Sequence, residues 1–127
     1  MIHLDTHVAV WLYAGAHGRI PGALRRRLES ESLAISPMVR LELAYLQEVG
    51  RLRHAPAQIL DELARALGLV VDDTPFVDVV AIAQTDRLHF TRDPFDRLIA
   101  GQALAADAAL ATKDERLRAH LPIAVWD

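Results

Sequence analysis

Short apolar runs that alternate with helical segments constrain the fold of this chain more than any other feature. Between the runs, apolar residues recur at the spacing of one helix face. Strands that alternate with helices form mostly parallel sheets with helices on both faces. We therefore expect an α/β fold, a three-layer α/β/α arrangement whose mostly parallel sheet has four to five strands. The predicted strands are Ile2–Leu4, Leu33–Ile35, Leu69–Val71, Ala109–Thr112 and Ile123–Trp126.

Caps, prolines and glycines predict where the helices begin and end. Ser36-Pro37 provides a cap and a first-turn proline before a helix over Val39–Val49. Gly68 is suited to end the helix that runs from Pro56 to Leu67, because glycine readily adopts the left-handed conformation found after helices. The other predicted helices are one that follows Asp5-Thr6, Pro21–Ser30, Phe76–Gln84, Phe95–Ala106 and Asp114–Leu121. The pattern shows no linker and no repeat, so we expect one domain over residues 1–127.

Composition narrows the class of protein. A formal net charge of −3 argues against binding nucleic acid through bulk positive charge, but it leaves room for an RNA enzyme with local basic patches. With no cysteine, the chain has neither a disulfide framework nor a thiolate metal site. The first residues do not resemble a signal peptide, and no apolar run approaches the ~20 residues of a membrane span. We expect a cytoplasmic protein without a membrane segment.

Acidic residues occur where the predicted strands end. Asp5 ends the first strand, Asp114 follows the fourth, and Glu42 lies in the helix after the second. Asp96 lies in the first turn of a later helix and is preceded by Asp93. In an open parallel sheet, ligands bind outside the carboxyl ends of the strands. We therefore expect these acids to meet in one cleft.

Carboxylates gathered in one cleft need a compensating charge, because like charges at short range raise one another's pKa. Oxygen ligands without histidine or cysteine favour hard cations, Mg²⁺ or Mn²⁺. Two such ions roughly 3.5–4 Å apart activate a water molecule and stabilise a leaving oxygen. The acid pattern therefore favours metal-dependent hydrolysis of a phosphodiester bond.

Sequence fragments in a particular order resemble a known family. The fragments are Leu4-Asp5-Thr6, Ser36 to Glu42, Asp93-Pro94-Phe95-Asp96-Arg97-Leu98-Ile99-Ala100 and Thr112-Lys113-Asp114. In this order and spacing they are similar to PIN-domain proteins, and the chain resembles the VapC toxin ribonucleases over nearly its whole length. The resemblance implies a PIN-like fold and an Mg²⁺-dependent endoribonuclease toxin that acts on structured RNA. It also implies a homodimer and a small VapB-like antitoxin whose C-terminal segment covers the active site.

The resemblance also assigns roles to residues at matching positions. The positions similar to the acids of the family are Asp5, Glu42, Asp96 and Asp114, with Asp93 as an additional ligand. Our hypothesis is that the aspartates bind the metal while Glu42 ligates it or positions the attacking water. The hydroxyls expected to orient carboxylates are those of Thr6 and Thr112. The side chains expected to contact phosphate are Arg97 and Lys113.

Structural interpretations of the same residues stand beside the functional ones. Aspartate is a favoured helix cap, and a first-turn acid such as Asp96 is stabilised by the helix dipole. We interpret the aromatic residues as core or dimer-interface residues rather than as surfaces on which bases stack. These are Trp11, Tyr45, Phe76, Phe95 and Trp126. A solvated turn and helix start are expected at Asp72, Asp73 and Asp78.

Other functions remain open. A phospho-acceptor signalling domain also places acids, a threonine and a lysine around Mg²⁺. However, it needs an acidic pair after the first strand, where Asp5 stands alone, and it leaves Glu42 unexplained. A catalytically inactive PIN-like binding module is disfavoured because all the expected acids are present. A DNA-directed nuclease would share the chemistry, and no motif in the chain separates the two nucleases.

Overall fold

The computed structural model describes the backbone of residues 1–127 and every side chain except that of His17. The strands are β1 (Ile2–Leu4), β2 (Leu33–Ile35), β3 (Val70–Val71), β4 (Ala109–Ala111) and β5 (Ala124–Val125). The helices are α1 (Thr6–Ala14), α2 (Gly22–Ser30), α3 (Pro37–Glu48), α4 (Pro56–Leu67), α5 (Phe76–Ala83), α6 (Pro94–Ala105) and α7 (Glu115–His120). The predicted boundaries of these elements agree with the observed ones to within two residues.

The sheet is parallel throughout, with the strand order β3-β2-β1-β4-β5. From β1 the chain moves outward to β2 and β3, and it then returns to β4 and β5 on the other side of β1. Right-handed crossovers place the helices before and after this reversal on opposite faces of the sheet. The structure thus confirms the predicted α/β class and its three layers. The reversal creates a crevice between the carboxyl ends of β1 and β4.

Local sequence explains why the elements next to this crevice begin and end where they do. The backbone of β1 and β2 is buried from end to end, as expected for central strands of a covered parallel sheet. Helix α3 begins at Pro37, and its first-turn Met38 N–H donates to Ser36 Oγ at 3.1 Å. Proline is tolerated there because the first helical N–H has no partner within the helix. No helix in the described part of the chain is long and apolar enough to cross a membrane.

A largely buried polar network joins β1 and α6 with Ser36, the cap of α3, and with Asp72, which follows β3. Gln102 of α6 donates from Nε2 to Asp72 Oδ1 at 2.9 Å and accepts from Ser36 Oγ at 3.0 Å. His3 on β1 places Nε2 3.1 Å from Asp72 Oδ2, although without hydrogen-bond geometry. The predicted solvated turn is therefore wrong for Asp72, because this residue directly follows β3 and is directed towards α6. The prediction of solvent exposure is correct for Asp73 and Asp78.

Candidate active site

A cleft of about 440 Å³ opens at the carboxyl edge of the sheet, beside the crevice between β1 and β4. The carboxylates that line the cleft are Asp5, Glu42, Asp93, Asp96 and Asp114. The rest of the lining consists of His7, Val8, Trp11 and Lys113. The fold thus gathers every predicted acid into one place, although the acids come from four separate parts of the chain.

Asp5 is held by both of its carboxylate oxygens. Its Oδ1 accepts from the N–H of Thr6 at 2.8 Å, which caps α1. Its Oδ2 accepts from Thr112 Oγ1 at 2.6 Å, across the crevice. The plain interpretation of Asp5 as a helix cap is therefore correct, and it is compatible with a position in the cleft.

Glu42 reaches the cleft from α3 and meets α1 there. The hydroxyl of Thr6, which is fully buried, donates to Glu42 Oε1. Thr6 therefore links α1 to α3, while Thr112 links β4 to Asp5. Both hydroxyls donate to carboxylates in the way that orienting groups do, and their effect on activity stays a prediction.

Asp93 and Asp114 occupy the same structural position in two different helices. Asp93 caps α6 by accepting from the N–H of Phe95 at 2.8 Å. Asp114 caps α7 by accepting from the N–H of Leu117 at 2.9 Å. Each cap uses one carboxylate oxygen, Oδ1, so the other oxygen of each group is available to a ligand in the cleft.

Sequence reasoning missed Thr91, a fully buried residue beneath the cleft. Its Oγ1 accepts from the N–H of Asp93 at 3.2 Å and donates to Asp96 Oδ2 at 3.4 Å. The signal was present, because Thr91-Arg92-Asp93 repeats the pattern of Thr112-Lys113-Asp114. A threonine followed two residues later by an acid can mark a turn that presents a carboxylate.

The carboxylates in the cleft outnumber the positively charged side chains that line it. Burial raises the pKa of Asp5 and of Glu42 above the ordinary range for these acids. Burial, followed by the nearby charges of Asp93 and Asp5, raises the pKa of Asp96 from 3.8 to about 7. One cation, Lys113, lines the cleft, and its Nζ lies 5.9 Å from the ring centroid of Trp11. The cleft therefore favours a positively charged ligand.

The donor set fits a hard divalent cation such as Mg²⁺ or Mn²⁺, because the acidic side chains offer oxygen atoms and no sulfur. No three histidine, aspartate or glutamate side chains among the described residues stand close enough to hold one ion as they are placed. The carboxylates thus share a cleft without forming a finished coordination shell. A bound cation would draw the carboxylates closer together, because opposite charges attract.

The predicted phosphate contacts differ in their placement. Lys113 lines the cleft, whereas Arg97 is not among the lining residues and donates from Nε to the Thr91 carbonyl at 2.7 Å. Arg97 therefore supports the turn that carries Asp93. Trp11 packs partly against the core and partly lines the cleft, so its interpretation as a core residue accounts for one side of its ring.

The chain is similar to known proteins in sequence and in fold. Residues 2–120 match the family model of the PIN domain. The chain is 36% identical over 132 residues to Ribonuclease VapC22 of Mycobacterium tuberculosis (strain ATCC 25618 / H37Rv), covering 97% of this chain and 96% of that protein. Its fold is similar to a chain in the crystal structure of VapBC2 from Rickettsia felis bound to a DNA fragment from their promoter. That match has a TM-score of 0.65 and 21% identity, and it covers 100% of both chains.

Proposed function

The chain belongs to the PIN-domain family, and from this premise we propose that it is a metal-dependent endoribonuclease of the VapC kind, the toxin of a toxin–antitoxin pair. The observation that carries the proposal is the convergence of the carboxylates on one cleft at the reversal of strand order. A relative that aligns along almost the whole chain is named a ribonuclease, which supports RNA as the substrate. The proposal includes structured RNA as the target.

The metal, Mg²⁺ with Mn²⁺ as an alternative, would supply Lewis acidity and lower the pKa of a water molecule that attacks phosphorus. The side chains that would hold it are Asp5, Asp93, Asp96 and Asp114. Thr112 fixes the direction of the Asp5 carboxylate, and Thr6 fixes that of Glu42, which would position the water. Burial and neighbouring charges raise the pKa of Asp96 to about 7, so a cation held by this carboxylate would compete with a proton at neutral pH.

Two protein partners belong to the proposal. The solved structure with the similar fold contains VapBC2, which supports a VapB-like antitoxin for this chain. A homodimer is supported by exposed apolar side chains on α3 and α5. Monomeric soluble proteins rarely expose large groups of such side chains. The exposed apolar residues are Leu41, Tyr45 and Val49 at α3, and Phe76, Val77 and Val80 on α5. Light scattering of the wild type and of Phe76→Glu tests the dimer, with a monomer expected for the variant.

Cleavage of total cellular RNA by the purified chain tests the proposed activity. We expect discrete fragments with Mg²⁺ or Mn²⁺ and intact RNA with EDTA or with the Asp96→Asn variant. The matched control is Asp61→Asn, which removes an exposed acid of α4 outside the cleft and should cleave like the wild type. Intact RNA under every metal condition would favour the inactive binding module instead.

Two further assays with the same purified protein distinguish the proposed function from a DNA nuclease and from a signalling domain. A DNA strand of matched sequence should survive conditions that cleave the RNA, and equal cleavage would identify a nuclease that does not select RNA. Incubation with a small phosphodonor should leave the protein unmodified. A phosphoryl group on Asp5 that base and hydroxylamine remove, without RNA cleavage, would favour the signalling domain.

A further inference from the structure

A second groove adjoins the acid cleft along helix α1. It has a volume of about 380 Å³ and lies between α1 and the region where α3 ends. His7 and Trp11, one turn apart on α1, line both this groove and the acid cleft. The two cavities therefore form one continuous path across the surface.

The charge changes sign along this path. The acid cleft is lined by carboxylates, whereas the described lining of the second groove has no carboxylate and includes Arg19 and Arg51. Both arginines are exposed, and among the described residues neither forms an ion pair with an acid. Two free guanidinium groups beside a phosphodiester-cleaving cleft are well placed for the next phosphates of the same strand.

Trp11 stands at the junction of the two cavities. Its indole packs against Trp126 in a T-shaped contact, with ring centroids 5.8 Å apart. The guanidinium carbon of Arg19 lies over the Trp11 ring, 5.8 Å from its centroid, and Lys113 Nζ also lies over the ring, 5.9 Å from the centroid. A fixed aromatic ring between cations resembles the surfaces on which proteins bind single-stranded nucleic acids.

We propose that this groove binds the RNA nucleotides next to the scissile bond, with Arg51 on a backbone phosphate and one base stacked on Trp11, where it replaces the guanidinium of Arg19, which moves to a neighbouring phosphate. The RNA is single-stranded at this point, because a base within a duplex does not expose its face. The inference rests on the proposed ribonuclease function, but it concerns binding and not cleavage. An acidic protein segment is the competing occupant, and a competition experiment separates it from RNA.

Binding is measured by fluorescence anisotropy with a labelled oligouridylate of about 12 nucleotides, within the site sizes of single-strand-binding grooves. The Asp96→Asn protein with Mg²⁺ is used so that the probe survives. We expect Arg19→Ala/Arg51→Ala to weaken binding about tenfold and to flatten the plot of log K against log salt by about 1.4, for two lost phosphate contacts. The matched control, Arg26→Ala/Arg87→Ala, removes the same charge from exposed arginines elsewhere and should change affinity less than about twofold. Equal weakening by both pairs, or no binding by the parent protein, would overturn the proposal.

Stacking on Trp11 has its own readout. The chain has two tryptophans, so Trp126→Phe leaves Trp11 as the sole tryptophan reporter and keeps an aromatic neighbour. Oligouridylate should quench the fluorescence of Trp11 in this variant. Unchanged fluorescence at saturating probe would remove Trp11 from the site.

A competition experiment distinguishes RNA from an acidic protein segment as the occupant of the groove. Oligoglutamate of equal charge should displace the probe only weakly. Displacement as strong as that by unlabelled RNA would reassign the groove to an acidic protein segment.

The binding experiment on the groove and the cleavage assay can fail independently. RNA that stays intact with every metal while the groove variants still lose affinity would refute the nuclease and retain the groove. Metal-dependent cleavage together with unchanged affinity in Arg19→Ala/Arg51→Ala would retain the nuclease and refute the groove.

Discussion

The turn Thr91–Asp93, before α6, and the turn Thr112–Asp114, after β4, have the same local geometry. In each, a fully buried threonine accepts through Oγ1 from the N–H of the aspartate, at 3.2 Å and 3.1 Å respectively. The onward contacts differ. Thr112 donates to Asp5 at 2.6 Å, whereas Thr91 donates to Asp96 at 3.4 Å.

The sheet explains the tighter contact. Leu4 pairs with Ala111 in the parallel register of β1 and β4, so the next residues along both strands, Asp5 and Thr112, must lie side by side. Thr91 and Asp96 belong to one loop and the helix that follows it, and no strand pairing sets their separation. From this comparison we expect the strand half of the cleft to be the more firmly held before a ligand binds and the helix half to adjust more readily around one.

The largest expected effect is on cleavage, where both halves are required. Asp5→Asn and Asp96→Asn should each reduce RNA cleavage to the level seen with EDTA, because each removes a negatively charged ligand. Cleavage rates at saturating Mg²⁺ measure the loss, with Asp61→Asn as the control. Retained cleavage in Asp96→Asn alone would show that the strand half is sufficient.

Removing the threonine hydroxyls should separate the two halves. Thr112→Val should lower cleavage about 10–100-fold and the free energy of unfolding by about 1–3 kcal/mol, because the Asp5 carboxylate loses its 2.6 Å hydrogen bond and the N–H of Asp114 loses its acceptor. The effect of Thr91→Val should be several-fold smaller, since its contact with Asp96 is long. Urea unfolding and cleavage rates provide both measurements.

The control for these variants is Thr85→Val, in which the lost hydroxyl is exposed and donates to the Ile82 carbonyl. Its cleavage rate should match that of the wild type. Equal losses in Thr91→Val and Thr112→Val would contradict the idea that the two halves differ in rigidity.

Titration of Asp96 should make the stability of the fold depend on pH. Its pKa is raised from 3.8 to about 7 on folding, so the folded state binds the proton more tightly than the unfolded chain. This group therefore destabilises the fold increasingly as the pH rises through that window. In EDTA, the Tm of Asp96→Asn minus that of the wild type should grow between about pH 5 and about pH 8.

Mg²⁺ should reduce this difference in Tm, because a bound cation stabilises the wild-type carboxylate. Differential scanning fluorimetry at both pH values measures the effect. A Tm difference that does not change with pH would show that Asp96 does not titrate in this window. Asp61→Asn again controls for the loss of an acid outside the cleft.

The smallest expected effect concerns the basic residue in the middle of each turn. Lys113 lines the cleft, whereas Arg92 is exposed and absent from its lining. Lys113→Ala should weaken oligouridylate binding a few-fold and reduce the salt slope by about 0.7, while Arg92→Ala should change affinity less than about twofold. Anisotropy titrations measure both affinities. Equal losses of affinity would mean that Lys113 and Arg92 act only through the net charge of the protein.

Much of this site can be predicted from the sequence alone. Asp5, Asp93 and Asp114 were placed at the starts of their helices because aspartate caps helices and because each follows an apolar run or precedes a proline. The alternation of strands and helices then implied a shared edge of a parallel sheet. Those inferences depend on local preferences and on one topological rule, both of which a sequence records.

Other features of the site depend on distant parts of the chain, and for Asp72 this made the sequence prediction wrong. Asp72 looks like part of a solvated turn until Gln102, thirty residues later, is folded onto it. Arg97 donates from Nε to the Thr91 carbonyl, a contact that the sequence pattern does not indicate, and its contact with phosphate stays a prediction. Trp11 packs against the core, as expected, and its other side lines the cleft and the groove.

The sequence by itself determined the order of the elements, the caps and the supply of acids, since these follow from periodicity and from short-range hydrogen bonding. Only the tertiary structure decided which oxygens are held and which charges stay uncompensated. The register of β1 against β4 sets the contact between Thr112 and Asp5, and the packing of α6 brings Asp96 into the field of its neighbours. These properties depend on distances between residues far apart in the chain, and burial and charge act through those distances.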